Sequence, residues 1–255
     1  MKTPTEKIDV MLYSEGKKSL ISEQIITEKH VKIFLNNQMV ATIACAGIHL
    51  QELAVGFLRY VGIIMVQEDI ERITTSADEL RINVFTKNEV TSNTISPDIL
   101  VMSSGAKNRG GVTTRSNILS DVSIPANKVV EFIDVLLHSS SLHRVTHGTH
   151  CSALADTEEI IVLRDDIGRH NTIDMLSGYT LLNGIDCSDK IIVKTGRVSS
   201  EIAEKVWAIG IPIVISHSVP TSEAIGILRD AGITLIGHVR GECFKIYSNE
   251  RRVQF

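Results

Sequence analysis

Between residues 159 and 248 the chain repeats one pattern three times: a short aliphatic run, a polar turn, then a segment with helical spacing. The runs are Glu159-Ile160-Ile161-Val162-Leu163, Lys190-Ile191-Ile192-Val193-Lys194 and Ile211-Pro212-Ile213-Val214-Ile215. Short runs rich in β-branched residues, alternating with helical segments, predict buried parallel strands joined by crossover helices. In such sheets the turns gather at the carboxyl ends of the strands, where ligands bind. Each turn also aims unpaired helix N–H groups at that edge, which favours an anion.

The first half reads differently. Residues 31–35 and 39–43 flank Asn36-Asn37, a hairpin pattern with a turn-forming pair. Residues 8–45 as a whole read as antiparallel strands. Leu53, Phe57 and Leu58 give a helix over residues 50–61, and residues 70–90 return to strand, with Arg81-Ile82-Asn83-Val84-Phe85 alternating in period two. Residues 103–116 form a polar, glycine-containing loop, expected to be mobile. Pro125 suits the first turn of a helix carrying Val129, Phe132, Ile133 and Leu136. Gly210 and Gly232 fit helix ends, and the last strand, near residues 243–247, is expected to be antiparallel. The expected architecture is one α/β domain over residues 1–255: a strand-rich N-terminal part to about residue 95, a loop over 96–116, and an α/β core from 117.

Composition narrows the function. The 255 residues carry a formal net charge of −4 and only 4% aromatics, which excludes binding of bulk nucleic acid through phosphates or stacked bases. Residues 1–7 lack the apolar core of a signal peptide, and no run reaches the ~18–20 apolar residues of a membrane helix, so a cytoplasmic protein is expected. Cys45, Cys151, Cys187 and Cys243 are scattered without a CxxC pair and read as reduced thiols.

Three turns hold the candidate chemistry. Asp165-Asp166-Ile167-Gly168-Arg169-His170-Asn171 combines two carboxylates, a guanidinium and an imidazole. Capping by Asn171, with Asp174 at the third helical position, accounts for part of it and leaves Arg169 and His170 for a ligand. In Thr195-Gly196-Arg197-Val198-Ser199-Ser200, Gly196 permits close backbone approach and Arg197 suits a phosphate; a purely structural turn is equally compatible. His217-Ser218-Val219-Pro220-Thr221-Ser222 offers hydroxyl donors on a proline-fixed backbone, suited to phosphate or guanine recognition and to simple capping alike. Thr146-His147-Gly148-Thr149-His150-Cys151 places three potential metal ligands within five residues, but no fourth ligand at metal spacing accompanies it. It is read as a loop entering a helix over residues 151–156, with no metal. The loop Gly105-Ala106-Lys107-Asn108-Arg109-Gly110-Gly111 lacks the Gly-Lys-Ser/Thr ending of a phosphate loop.

Several ordered pieces together resemble the formate dehydrogenase accessory sulfurtransferase family (FdhD/NarQ). They are Glu52-Leu53-Ala54-Val55-Gly56-Phe57-Leu58 with Gly62-Ile63-Ile64, the turn over residues 146–153, Asp166-Ile167-Gly168-Arg169-His170-Asn171, Gly196-Arg197, Lys205 and Pro220-Thr221. The resemblance implies a cytidine-deaminase-like three-layer α/β/α core and a homodimer. It also implies sulfur transfer from a cysteine desulfurase to the bis-molybdopterin guanine dinucleotide molybdenum cofactor, for formate dehydrogenase. The family's nucleotide site, for which GDP is a fragment, maps onto residues 217–222, with Arg169, His170, Gly196 and Arg197 as neighbours. The family's loop carries Ser-Cys-Gly-x-Cys-Gly; here the corresponding positions, Ser104, Gly105 and Asn108 among them, include no cysteine. Sulfur transfer needs an exposed thiolate. Cys151, following His150 at the expected helix start, is the alternative carrier, and a cofactor-binding chaperone without sulfur transfer is the rival reading. A zinc hydrolase or deaminase is disfavoured, because no His/Cys-x-Glu plus CxxC set is present.

Overall fold

A computed structural model describes residues 4–88, 100–101 and 116–255. The polar loop over 103–115, with Ser104, Gly105 and Asn108, therefore lies outside the described residues. The chain opens with a ribbon of β1 (Thr5–Ser14) and β2 (Lys17–Ile26), a two-stranded sheet of its own. Next come β3 (Lys29–Leu35) and β4 (Gln38–Cys45), joined by Asn36 and Asn37 at φ 48° and 70°, the left-handed pair that a tight hairpin turn demands. Helix α1 (Leu50–Tyr60) follows, then β5 (Ile70–Thr75) and β6 (Arg81–Thr86). The strand expected over residues 70–90 is thus two antiparallel strands, because Thr75-Ser76-Ala77-Asp78-Glu79 supplies a turn in which Asp78 accepts from Ser76 and Leu80. β7 (Leu100–Val101) pairs with β4, so part of the expected loop over 96–116 belongs to this sheet, whose order is β5-β6-β3-β4-β7.

The second half holds β8 (Ile124–Pro125), α2 (Ala126–Ser139), α3 (Ser141–Thr146), β9 (His150–Ala155), β10 (Ile160–Asp166), α4 (Arg169–Leu182), β11 (Ile191–Lys194), α5 (Ser200–Ile209), β12 (Ile213–Ser216), α6 (Ser222–Asp230), β13 (Thr234–Arg240), β14 (Cys243–Ser248) and β15 (Val253–Gln254). Six of its strands form a sheet ordered β10-β9-β11-β12-β13-β14, while the short β15 pairs with β8. The last strand, β14, is antiparallel to β13 as its neighbouring Arg240-Gly241 turn suggests. Gly210 and Gly232, at φ 89° and 73°, end α5 and α6 in the left-handed conformation that favours glycine.

Side chains alternate between two cores. Leu154, Ile192, Val214 and Leu235 face α4, α5 and α6, whereas Ala153, Val193, Ile215 and Ile236 face α2. That makes three layers, α/β/α. A further core joins the N-terminal sheet to α1 and, through Met175 and Leu181, to α4. The α1–α4 crossing is close because Gly56 lies on the Asp174 backbone and Gly178 on the Glu52 backbone. Arg164 of β10 grips Glu52 of α1 through both oxygens, at 2.5 and 2.7 Å, in a largely buried pair.

Four expectations change. Residues 159–166 do not join the parallel set: β10 is an edge strand antiparallel to β9, and the parallel trio is β11, β12 and β13. Because β9 is also antiparallel to β11, β10 still runs the way of the trio, and its carboxyl end reaches the same edge. Residues 151–156 are strand, not helix; the small residues Ser152, Ala153 and Ala155 fit a strand sandwiched between layers, where packing overrides their helical propensity. Asn171 and Asp174 lie inside α4, which starts two residues before Asn171 with Gly168 in the cap position, so neither caps it. Pro125 occupies the cap position just before α2 rather than its first turn.

Candidate functional site

The carboxyl ends of β10, β11, β12 and β13 and the amino end of β9 share one edge of the six-stranded sheet. Sequence forms each turn there for a local reason. Asp166, fully buried, accepts from the amides of Ala46 (2.8 Å) and Gly168 (2.9 Å) and from Asn171 Nδ2 (2.6 Å). Asn171 Nδ2 also donates to Ala44 O at 2.8 Å. Burial nevertheless raises the Asp166 carboxyl to about 6, against the pull of those donors. These residues lock the start of α4 to the end of β4, and in doing so they set Arg169 and His170 on the edge.

The next turn is built around Lys194. Its ammonium, fully buried, donates to Gly196 O at 2.8 Å and Arg197 O at 3.2 Å, and Ser216 Oγ donates to Gly196 O at 3.0 Å. Space at Gly196 is tight: a Cβ there would lie 3.2 Å from Arg169 Cβ, 3.3 Å from His150 Nδ1 and 3.4 Å from Lys194 Nζ. Residues 217–222 run beside it. Val198 N donates to Val219 O at 3.3 Å and Thr221 N to Val198 O at 2.9 Å, His217 N donates to Lys194 O at 2.9 Å, and Arg240 donates to His217 O. Thr221 caps α6 by accepting from Ala224 N, so its hydroxyl serves the helix, while Val219 is exposed. The structure thus brings Arg169, His170, Gly196, Arg197 and residues 217–222 to one edge.

Electrostatics there are cationic. Burial, then the nearby Arg197, lowers Arg169; burial, then Arg169, lowers Lys194 to about 7; burial, then Lys194 and Arg169, lowers His150 to about 4. His217 is lowered by burial and then by Arg240 and His238. Arg169 Nε is buried without a hydrogen-bond partner among the described residues. The acidic member is Glu201, drawn by Lys205 at 3.3 Å and by His170 at 3.7 Å. Lys205 in turn pairs with the buried Asp174 at 2.7 Å. Sequence reasoning missed Lys194, His150 and Arg240; the charged residue ending the Ile191–Lys194 run was the available signal. A cavity of ≈ 380 Å³ lies at the opposite edge, lined by Asp121, Asp156 and Asp189, whose charges oppose an anion.

The thiols are placed otherwise than expected. Cys151 sits inside β9, 1% exposed, beside Asp165; burial first, and that carboxylate second, push its thiol well above the ordinary range. No helix start or imidazole activates it. Burial and then Asp166 raise Cys45 to about 12, and burial raises Cys187. Cys243, read as packed, is exposed because it opens β14 at the turn from β13. Among the described residues no cluster of three His, Cys, Asp or Glu could hold a metal.

Known proteins share this sequence and architecture. The model of the FdhD/NarQ family matches residues 26–254. The sulfur carrier protein FdhD of Bacillus subtilis (strain 168) is 33% identical over 258 residues, covering 96% of each chain. That of Bacillus pumilus (strain SAFR-032) is 33% identical over 248 residues, covering 94% of each. The crystal structure of a putative formate dehydrogenase accessory protein from Desulfotalea psychrophila superposes with a TM-score of 0.85 at 26% identity, over 98% of this chain and all of that one. With the family model and these relatives spanning nearly the whole chain, the protein belongs to the FdhD/NarQ family.

Proposed function

We propose that this protein is an accessory factor in formate dehydrogenase maturation that binds the bis-molybdopterin guanine dinucleotide molybdenum cofactor, as its cargo, at the strand-end edge. The observation that carries the reading is the gathering of Arg169, Lys194, Arg197 and Arg240 at one sheet edge beside three helix starts, with Arg169 Nε left without a partner among the described residues. Guanidinium and oriented amides are the donor set a pyrophosphate needs. In this reading Arg169 and Arg197 hold the phosphates, and the turn over 217–222 holds the guanosine side. The test is calorimetric titration with GDP together with the melting temperature, which rises through linkage if GDP binds the folded state. Absence of heat at millimolar GDP, with no thermal shift, would refute it.

Sulfur transfer from a cysteine desulfurase is the finer question. Residues 89–115 contain no cysteine, and three of the four thiols are buried, so the protein works as a cofactor-binding chaperone without the family's loop relay. A second reading keeps sulfur carriage by way of Cys243, the exposed thiol. Mass spectrometry after incubation with a desulfurase and cysteine separates the two: a persulfide on Cys243 favours the second, and an unmodified chain favours the first.

The homodimer belongs to the same proposal. Its support is the β1–β2 ribbon, where Ile8, Met11, Leu12, Tyr13 and Leu20 are 40–68% exposed. An isolated two-stranded ribbon is marginal in water, and exposed apolar patches mark contact surfaces. Light scattering that returns a mass near 28.0 kDa would reject the dimer. Kinship of the three-layer core with cytidine deaminases is part of this reading too, and superposition on deaminase structures tests it.

A further inference from the structure

We propose that Lys194 is the positioning residue of the strand-end site and its proton-linked counter-charge: its ammonium shapes the Gly196–Arg197 turn from below and takes up a proton when an anion binds above. The inference rests on the anion-site reading just given and goes beyond it by naming how the site is held and how pH governs it.

Lys194 ends β11 with the same facing as Ile192, so it projects toward the α4–α5 side, beneath the turn. It has no exposure to solvent, and among the described residues it makes no ion pair with any carboxylate. Its partners are two backbone carbonyls, Gly196 O and Arg197 O. Carbonyls held inward in successive residues turn the following amides outward, which makes the concave donor arrangement that receives anions. A methyl group at Gly196 would touch Lys194 Nζ, Arg169 Cβ and His150 Nδ1 together, so the ammonium stands directly against residues of the strand-end edge.

A buried cation without a counter-charge is unstable, and proteins relieve it by losing the proton or by gaining an anion. The groups around Lys194 favour loss in the free protein. Arg169 faces it from α4 and supplies the repelling charge, and Arg197 lies in its own turn, while His150 at the start of β9 and His217 after β12 have lowered values and add no counter-charge. Glu201 of α5 is already engaged by Lys205 and His170. Asp165 and Asp166, at the end of β10, are held by Ser140 and by the Ala46, Gly168 and Asn171 donors. Burial and Arg169 accordingly bring Lys194 down to about 7. A diphosphate resting on Arg169 and Arg197 reverses that balance and stabilises the charged form.

The sign follows from linkage. The anion binds better to protonated Lys194, so below the free-state value affinity is pH-independent. Above it, each binding event takes up a proton, and affinity falls by up to about tenfold per pH unit. The terminal phosphate of an esterified diphosphate ionises near pH ~6 and histidines near ~6.5, so measurements between pH 7.5 and 9 isolate the lysine.

The experiment is titration of the full chain with GDP and, separately, ribose 5-diphosphate, at pH 8 in buffers of different ionisation enthalpy, for wild type, Lys194→Met and Lys194→Arg. Wild type is expected to take up close to one proton per ligand. Lys194→Met is expected to bind about tenfold or more weakly with no uptake, and Lys194→Arg to bind without uptake because arginine does not titrate there. The wild-type proton count stands even if neither variant folds. Binding of wild type with no proton uptake overturns the Lys194 proposal and leaves the nucleotide reading intact. Uptake with ribose 5-diphosphate but no binding of GDP supports Lys194 and sinks the nucleotide reading. Failure of both ligands to bind overturns both.

Discussion

Replacing Gly56 by alanine sets two physical effects against each other. In an exposed helix, glycine to alanine stabilises by about 0.8–1 kcal/mol, because the unfolded chain loses freedom. Gly56, however, sits where α1 crosses α4, and a Cβ there would stand 1.8 Å from the Asp174 carbonyl oxygen. At the companion position, a Cβ on Gly178 would stand 1.9 Å from the Glu52 carbonyl oxygen. Both obstacles are backbone, so no rotamer relieves them, and the helices must part by about 1 Å or more in a close-packed interior. Overpacking of this kind costs roughly 3 kcal/mol at the upper end of its range. Net of the propensity gain, Gly56→Ala is expected to destabilise by ~2 kcal/mol, a fall in melting temperature of about 4–8 °C for a chain of this size. The comparison is Gly226→Ala in α6, where nothing lies within 4 Å of the added carbon and a gain of about 0.8–1 kcal/mol is expected. Urea unfolding followed by circular dichroism reads both. Because α4 begins with Arg169, the Gly56 variant should also lose GDP affinity. A Gly56→Ala protein as stable as Gly226→Ala would refute the close crossing.

Three further outcomes follow from the site. Arg169→Gln and Arg197→Gln each remove a charge-assisted contact of ~1.5–3 kcal/mol, so GDP affinity should fall by roughly 10–100-fold in calorimetry; unchanged binding in both would remove the arginines from the site. His150 is kept neutral in the folded protein, with its value depressed to about 4, so the unfolded chain binds more protons between pH 4 and 6.5 and stability is lost as pH falls through that window. His150→Gln should flatten this acid slope in unfolding curves, although Asp166, raised to about 6, works in the opposite sense over much of the same range and persists in the variant. An unaltered slope in the variant would contradict the assignment. Brief alkylation of the native protein should label Cys243 and spare Cys45, Cys151 and Cys187; early labelling of Cys151 would contradict its burial in β9.

The sequence by itself determined the local elements whose causes are local. Asn36-Asn37 dictates its hairpin, Gly210 and Gly232 end their helices, and the aliphatic runs at residues 191–194 and 213–216 are strands because nothing else buries so many β-branched side chains in so few residues. From the runs and their turns it also indicated an anion-binding edge, and the resemblance indicated the family. Tertiary structure decided what depended on neighbours distant in the chain. Residues 151–155 form a strand because two layers enclose them, which their alanine-rich sequence does not announce. Asn171 and Asp166 serve Ala44 and Ala46, more than a hundred residues away, rather than the helix cap that spacing suggests. Cys151 lost its expected reactivity to burial and to Asp165. Lys194 reads in sequence as the polar end of a strand; only its enclosure among Arg169, His150 and two carbonyls makes it a buried cation with no carboxylate partner among the described residues. Periodicity records which face of an element is buried, but the group that stands opposite is set by packing, and charge chemistry depends on that group.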